Sequence, residues 1–289
     1  MVSAIITTHN RKVLLRRAIE SVLKQTYTDI ECIVVDDAST DGTSEVCAMY
    51  PVQYIHIPKE ESHGGNYARN LGIKAAKGEY IAFLDDDDYW LPEKTEKQLR
   101  LIRDKKCRLV YCGIKIEAIT KEGTNYIDVK PNPLFQGELQ NKILQTICCC
   151  TSSTMMVSKE ILFDVGLFDE ALLFWQDYEL TIRLAQKTSF YYVKESLCVY
   201  RKDILDSNRL TNKYFGWKKS VNYIHHKHKK LYDRLTFKER CYAKVLVWED
   251  AAKRCKTAEL KWRYYYYKSL KNFLWYAPKR IIEFFNVKN

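Results

Sequence analysis

The chain has 289 residues, of which 46% are hydrophobic, and a formal net charge of +11. This hydrophobic content supports a folded core and excludes a largely disordered chain. No apolar run reaches the ~18 residues of a membrane-spanning helix. Ten cysteines without regular spacing are typical of a reducing cytoplasm. The first residues lack the basic segment and apolar core of a secretion signal, so we expect a cytoplasmic protein.

The first hundred residues alternate predicted strands with predicted helices. Short apolar runs predict four strands, over residues 3–8, 31–37, 52–58 and 79–84. Amphipathic spacing and capping signals predict four helices, over residues 11–26, 39–50, 64–78 and 92–105. We expect the second of these helices to begin on a Ser, Thr or Asp cap. The alternation predicts an α/β fold with a mixed, mainly parallel sheet and helices on both faces.

The second hundred residues are less regular. The sequence predicts two strands joined by a turn at "TKEG", followed by a short strand over residues 154–158. The C-terminal part predicts helices only, with a break at Pro278. We therefore expect a mixed domain over residues 1–205 and a basic, aromatic-rich helical region over residues 206–289.

The charge is concentrated near the C-terminus. Residues 201–289 hold 23 lysines and arginines against 8 aspartates and glutamates, whereas residues 1–200 hold 24 against 28. Basic charge interleaved with aromatics suits an anionic membrane surface, such as the inner membrane face, or a helical appendage packed on the preceding mixed domain. Nucleic acid could use the same residue types, but the absence of a nucleic-acid motif disfavours it.

Four aspartates, Asp85–Asp88, directly follow the fourth predicted strand in "IAFLDDDDYW". Polar groups also end two other predicted strands, at Thr7–Asn10 and at Asp36–Asp37. Ligands of open α/β sheets bind at the carboxyl ends of the strands, so we expect these three ends to converge on one crevice. Carboxylates clustered without Cys or His suit Mg²⁺ or Mn²⁺ rather than zinc.

The four aspartates are not expected to bind one ion together. Side chains alternate along an extended chain, so Asp85 and Asp87 face one side and Asp86 and Asp88 face the other. Neighbouring carboxylates repel by about 1 kcal/mol per pair even in water. We expect a divalent cation that arrives with a diphosphate to relieve this repulsion, so metal binding without the diphosphate should be weak. We expect Asp88 to help start the helix at Pro92 or to be solvated.

The order of several segments resembles family 2 glycosyltransferases of the GT-A fold. The resemblance covers residues 2–200 and rests on "SAIITTHNR", "IVVDDASTDGT", "GGNYARNLGIKAAKGEYIAFLDDDDYWLPEKTEKQL" and "GLFDEALLFWQDYELTIRL". It implies an inverting hexosyl- or N-acetylhexosaminyltransferase of the bacterial polysaccharide or cell-surface glycan type. The implied donor is a nucleotide-diphosphate sugar, usually a UDP-sugar, and the implied acceptor is a hydroxyl of a saccharide or a lipid-linked molecule. Residues 1–105 would form the nucleotide-binding half and residues 106–205 the acceptor-binding half.

The resemblance assigns the nucleoside side of the site. Thr7, Thr8 and His9 would line the nucleoside pocket. Asp37 would accept a hydrogen bond from the uracil N3–H group. Arg69, in the "ARN" triplet, would lie near the base or the diphosphate.

The resemblance also assigns a metal pair and a general base. Asp85 and Asp87 match the DXD motif that holds Mg²⁺ or Mn²⁺, with Asp87 as the direct metal contact. Asp86 would bind a ribose hydroxyl. Asp177 matches the catalytic base, which would deprotonate the acceptor hydroxyl on the face opposite the leaving group. The family pattern there is Glu-Asp, whereas this chain has Gln176, so the first acidic position is lost.

Three further residues are candidates for positions beside the site. Thr151 and Ser152 lie in a segment that approaches the acceptor in the family. Glu179 is interpreted as a structural residue or as a hydrogen-bond partner of the site.

Two other functions fit parts of the sequence. A sugar-nucleotide nucleotidyltransferase shares this kind of sheet, but it needs a glycine-rich basic loop, and "TTHNRKVLL" has no glycine. An interaction protein could bind through the basic tail and carry a degenerate site. The presence of Asp37, Asp85, Asp87 and Asp177 together counts against degeneracy.

Overall fold

The computed structural model describes residues 1–149, 151–203, 205–206, 213–257 and 262–274. The chain forms two compact units. The first unit comprises Met1–Leu139, Cys148–Leu172 and Gln176–Leu205, and the second comprises Gln140–Ile147, Leu173–Trp175 and the described residues from Asp206 onward. The expected division into a catalytic domain and a helical region stays a prediction, and the break expected at Pro278 lies outside the described residues.

The first unit is built on one mixed sheet. Its strands are β1 (Val2–Thr8), β2 (Ile30–Asp37), β3 (Gln53–Ile57), β4 (Tyr80–Asp85), β5 (Tyr89–Trp90), β6 (Leu109–Thr120), β7 (Gly123–Val129), β8 (Met156–Ser158) and β9 (Phe190–Asp203). The strand order is β3-β2-β1-β4-β8-β6-β9-β5, and β7 pairs with β6 as the hairpin expected at "TKEG". Strands β3, β2, β1 and β4 run parallel, which confirms the predicted fold class.

Helices follow the strands of the first unit and make up most of the second. They are α1 (Lys12–Leu23), α2 (Thr43–Ala48), α3 (Gly65–Ala75), α4 (Lys94–Lys105), α5 (Lys159–Asp164), α6 (Gln176–Ala185), α7 (Tyr214–Lys227), α8 (Lys229–Asp233), α9 (Phe237–Thr257) and α10 (Trp262–Leu274). Helix α1 buries Leu15, Ala18, Ile19 and Val22, which lie on one face at helical spacing. In the part of the chain that the structure describes, none of the helices has both the length and the hydropathy to cross a bilayer.

The expected side-chain cap of α2 is wrong. The N-cap residue is Gly42, with φ +88°, and it has no side chain that could accept a hydrogen bond. The carboxylate of Asp41 instead accepts from the backbone N–H of Lys12, 3.0 Å away at the start of α1. This contact ties the loop after β2 to the loop after β1.

The strand register brings the polar strand ends together. Thr7 of β1 pairs with Asp85 of β4, and Thr8 pairs with Asp36 of β2. Helix α3 lies close to this part of the sheet, because a Cβ atom on Gly72 would stand only 2.5 Å from Cγ2 of Ile5. The bare glycine therefore lets α3 approach the strands whose ends form the crevice.

Candidate active site

The four consecutive aspartates form a turn between β4 and β5. The backbone N–H of Asp88 donates to the carbonyl oxygen of Asp85 at 3.0 Å, which closes the turn. Asp86 and Asp88 are buried, whereas Asp85 and Asp87 are partly exposed. The alternation expected along this segment is therefore present in the burial of its side chains. We call residues 85–88 the carboxylate turn.

Two arginines already offset the charge of the carboxylate turn. Nη1 of Arg11 lies 3.1 Å from Asp86 and 3.2 Å from Asp87. Nη2 of Arg69 lies 2.7 Å from Oδ1 of Asp85. The expectation that the repulsion waits for a metal is therefore wrong in part. Sequence reasoning missed Arg11, although a basic residue directly after the polar end of β1 was a signal for it.

The two buried aspartates are held by neutral donors as well. The hydroxyl of Thr8 donates to Asp86 at 2.8 Å, and burial raises the pKa of Asp86 to about 6 although Arg11 opposes the shift. Asp88 accepts from the backbone N–H of Arg201 on β9 at 3.1 Å. Burial, reinforced by Asp87 and Asp85, raises the pKa of Asp88 well above its usual range. The expectation that Asp88 starts a helix or is solvated is wrong, because its side chain is completely buried.

The loops after β1 and β2 are bound to each other. Nδ1 of His9 lies within hydrogen-bond distance of the carbonyl oxygen of Asp37. The N–H of Asn10 donates to Oγ of Ser39, and Oδ1 of Asn10 accepts from the N–H of Thr40, both at 2.8 Å. These bonds fix the segment that carries Asp37 against the end of β1.

Two features of the loop after β2 point to a ligand. Ala38 adopts φ +61°, a left-handed conformation that costs about 1–2 kcal/mol for a residue other than glycine. Oδ1 of Asp37 is buried and has no hydrogen-bond partner among the described residues. The neighbouring Asp36, by contrast, accepts from the Tyr54 hydroxyl at 2.7 Å and from the Ser39 N–H at 3.0 Å. Asp36 therefore anchors the loop, and Asp37 offers an open acceptor.

Asp177 lies in the first turn of α6. Its Oδ2 accepts from the backbone N–H of Ser152 at 3.2 Å. Burial raises the pKa of Asp177, the positive charge of Arg69 opposes this shift, and the negative charge of Asp85 reinforces it. Arg69 thus acts electrostatically on both Asp85 and Asp177, which the sequence places far apart.

The segment before β8 links these groups. The hydroxyl of Thr151 lies 3.5 Å from Oδ2 of Asp85, and Oγ of Ser153 accepts from the backbone N–H of Asp85 at 3.1 Å. Ser153 is not among the sequence candidates, because no local pattern marks it. Glu179 is fully buried and makes an ion pair with Arg183 at 2.7 Å, as expected of a structural residue.

The donor set of the carboxylate turn fits a hard cation. Asp85 and Asp87 supply carboxylate oxygens, the ligands that Mg²⁺ and Mn²⁺ prefer. Across the described ranges, no three His, Cys, Asp or Glu side chains converge as a metal site. Mg²⁺ is commonly bound by one or two carboxylates together with substrate phosphates and water. The residues therefore suit a cation that shares its ligands with a bound diphosphate.

Comparison of the sequence with known proteins finds glycosyltransferases. The family described as Glycosyl transferase family 2 matches residues 3–166. An uncharacterized glycosyltransferase of Rickettsia typhi is 35% identical over 201 residues, which are 68% of this chain and 62% of the relative. The chain thus spans about three fifths of the length of that relative.

Two relatives have more specific names. The putative teichuronic acid biosynthesis glycosyltransferase TuaG of Bacillus subtilis is 30% identical over 227 residues, or 76% of this chain and 85% of TuaG. The Escherichia coli UDP-Glc:alpha-D-GlcNAc-diphosphoundecaprenol beta-1,3-glucosyltransferase WfaP is 40% identical over 118 residues, or 40% of this chain and 47% of WfaP.

Solved structures with a similar fold are GT-A glycosyltransferases. TarS 1-349 of S. aureus in complex with UDP-GlcNAc has a TM-score of 0.62 and 19% identity, covering 94% of this chain and 89% of its own. The mannosyltransferase PcManGT of Pyrobaculum calidifontis, in complex with GDP-Man and Mn²⁺, has a TM-score of 0.60 and 16% identity, covering 97% and 82%. The expected GT-A fold is confirmed.

The ion pair of Arg69 predicts a measurable contribution to stability. We expect Arg69→Gln to lower the free energy of unfolding by about 2 kcal/mol, because Asp85 and Asp177 lose their counter-charge. The loss should be smaller than the ~3–5 kcal/mol of a fully buried pair, since Asp85 stays partly exposed. Urea unfolding at neutral pH measures it.

A matched control is Arg100→Gln, which breaks an exposed pair with Glu96 on α4. We expect it to change the free energy of unfolding by less than about 0.5 kcal/mol. Equal losses in the two variants would show that Arg69 has no special role in holding the site.

Proposed function

The chain belongs to glycosyl transferase family 2, and we propose that it transfers a sugar from a UDP-sugar to a hydroxyl of a saccharide or lipid-linked acceptor, with inversion at the anomeric carbon. The carrying observation is that Arg69 acts on both Asp85 of the carboxylate turn and Asp177. A metal-side carboxylate and a candidate base therefore belong to one electrostatic unit. The names of WfaP and TuaG support a glucosyl-type donor and a role in polysaccharide biosynthesis.

The nucleoside would bind between the loops after β1 and β2. Asp37 would accept the uracil N3–H through its buried, unpartnered Oδ1. Thr7, Thr8 and His9 would line the pocket, and His9 is fixed there by its contact with the Asp37 carbonyl. A carboxylate suits this position because uracil presents an N–H donor, which an anionic acceptor binds strongly.

The diphosphate would bind over the carboxylate turn. Asp85 and Asp87 would hold Mg²⁺ or Mn²⁺, with Asp87 as the direct contact. Asp86 would bind a ribose hydroxyl. A bound divalent cation neutralises the negative charge that develops on the departing diphosphate. Arg11 and Arg69 bring two further positive charges to the same place, where they would attract the phosphates and orient them.

Asp177 would act as the general base. Its carboxylate would take the proton of the acceptor hydroxyl while that oxygen bonds to the anomeric carbon and the bond to the diphosphate breaks. The Ser152 N–H orients the carboxylate, and its raised pKa makes it a stronger base than an ordinary aspartate. Thr151 and Ser152 would lie on the acceptor side.

Removal of the base should separate transfer from donor binding. We expect Asp177→Asn to lower kcat by about 10²- to 10⁴-fold, because no group then accepts the proton. UDP affinity, measured by calorimetry, should stay within about twofold. In the wild type, kcat should fall as the pH drops through the raised pKa of Asp177, since only the ionised form accepts a proton.

The matched control is Gln176→Glu, which restores the usual family pattern beside the base and should retain transfer activity. UDP release across a panel of UDP-sugars identifies the donor. An Asp177→Asn enzyme with unimpaired transfer would contradict the choice of base, and absence of UDP release with every donor would contradict the proposed function.

We also propose that the second unit contacts an anionic membrane surface. Its helices expose Phe215, Phe237 and Tyr267, which are 70%, 69% and 66% accessible, among many lysines and arginines. Interfacial helices combine these residue types, and a lipid-linked acceptor would require such contact. The alternative is an appendage that serves only the fold, and nucleic acid stays disfavoured.

Vesicle binding of the full chain tests this contact. We expect co-sedimentation with phosphatidylglycerol vesicles, but not with phosphatidylcholine vesicles, and weaker binding at high salt. Phe215→Ser with Phe237→Ser should weaken it, whereas Phe163→Ser, an exposed phenylalanine of the first unit, should not. Wild-type binding by the double variant would contradict the proposal.

A further inference from the structure

A third arginine holds the backbone of the carboxylate turn rather than its carboxylates. Nη2 of Arg17, on α1, donates to the carbonyl oxygen of Asp87 at 3.0 Å. The same guanidinium lies over the ring of Tyr89, 4.4 Å from its centre. Arg17 therefore contacts the residues on both sides of Asp88, namely Asp87 and Tyr89.

The guanidinium of Arg17 is itself held from the opposite side. Its Nη1 donates to Oε2 of Glu117, on β6, at 2.9 Å. Oε1 of Glu117 accepts from the hydroxyl of Tyr126 at 2.9 Å, from the directly opposite position on β7. Both carboxylate oxygens are thus engaged, and Glu117 is only 7% exposed.

The free energy of folding alone does not account for the ion pair of Arg17 and Glu117. Taking a carboxylate out of water costs several kcal/mol, and well-packed hydrophobic residues of similar volume are often as stable as a buried pair. The pair instead fixes the orientation of the Arg17 guanidinium. Two different nitrogens of one rigid, planar guanidinium bind Glu117 and the Asp87 carbonyl, which fixes its plane.

We propose that Arg17 and Glu117 are positioning residues that set the orientation of Asp87 in the carboxylate turn. The inference rests on the proposed function for the role of Asp87 as the metal contact. Asp87 is the third residue of the turn, so the orientation of its peptide decides where its carboxylate points. An error of about 1 Å at such a position can cost about 10²-fold in rate.

The direction of the effect follows from the geometry. Arg17 donates to the carbonyl oxygen of Asp87, and substitutions of Arg17 or Glu117 leave all four carboxylates of the turn in place. The metal-side carboxylate then samples more orientations, which weakens binding that depends on the cation. Asp37 lies on the loop after β2, outside the turn, and Asp86 keeps its bonds to Thr8 and Arg11, so metal-free binding of the nucleoside should persist.

Two conservative variants of the full chain test the proposal. Arg17→Lys keeps the charge but cannot bind two acceptors in a fixed plane, and Glu117→Gln keeps the shape but loses the charge. We expect each variant to weaken Mn²⁺-dependent UDP binding by about 10- to 100-fold, as partners behind metal ligands typically do. UDP affinity without metal should stay within about twofold. Calorimetry with and without Mn²⁺ measures both.

Hydrogen exchange of the ligand-free protein provides a second readout. The backbone N–H groups of residues 86–89 should exchange faster in both variants, because the turn is less firmly held. The matched control is Arg16→Lys, since Arg16 is the neighbouring, exposed arginine of α1 and contacts Met49 instead. It should change neither readout.

The outcomes are distinct. Wild-type exchange and wild-type Mn²⁺-dependent affinity in both variants would overturn the inference. So would equal losses of UDP affinity with and without Mn²⁺, which indicate general destabilisation. If the wild type itself shows no Mn²⁺ dependence, the proposed metal role fails. Hydrogen exchange then decides the positioning role: faster exchange of residues 86–89 in the variants supports it, and unchanged exchange overturns it.

Discussion

Four carboxylates confined to one turn are the constraint on which the rest of the site depends. At a separation of 4 Å, each pair repels by about 1 kcal/mol in water and by more where water is excluded. Arg11 and Arg69 offset the charge on Asp85, Asp86 and Asp87. The fourth aspartate, Asp88, is completely buried. Its burial disfavours the ionised form and so raises its pKa. The turn therefore exists only when α1, α3 and the sheet are assembled around it.

The same arrangement prepares the site for an anionic ligand. The cations are held close to the turn by its carboxylates, but Arg11 is 43% exposed and stands at the crevice. A diphosphate that brings its own metal would place opposite charges beside both the arginines and the carboxylates. The carboxylates would then face the metal and the arginines would face the diphosphate, so every charge keeps an opposite charge beside it. Binding therefore requires little reorganisation of the site. This is why arginines and a metal-type carboxylate pair occur in one place.

The strands and their converging ends could be predicted because they depend on local patterns. Apolar runs that end in Thr8, Asp37 and Asp85 mark the carboxyl ends of parallel strands, and these ends must share one edge of the sheet. The partners of the turn could not be predicted, because they come from distant segments without a periodic signal. In the sequence, Glu117 has the pattern of an ordinary polar residue in a half-exposed hairpin. The burial of Asp88 could not be predicted either, because an aspartate after a strand commonly caps a helix and only the folded chain reveals its environment.

The most direct measurement is the affinity for Mn²⁺ with and without UDP, determined by calorimetry on the wild-type chain. We expect weak binding of the metal alone, since Arg11 and Arg69 already neutralise the turn. Binding should be tighter by at least about tenfold when UDP is present, a difference of about 1.4 kcal/mol. Metal affinity that is the same in both titrations would contradict the claim that cation and diphosphate share the carboxylate turn.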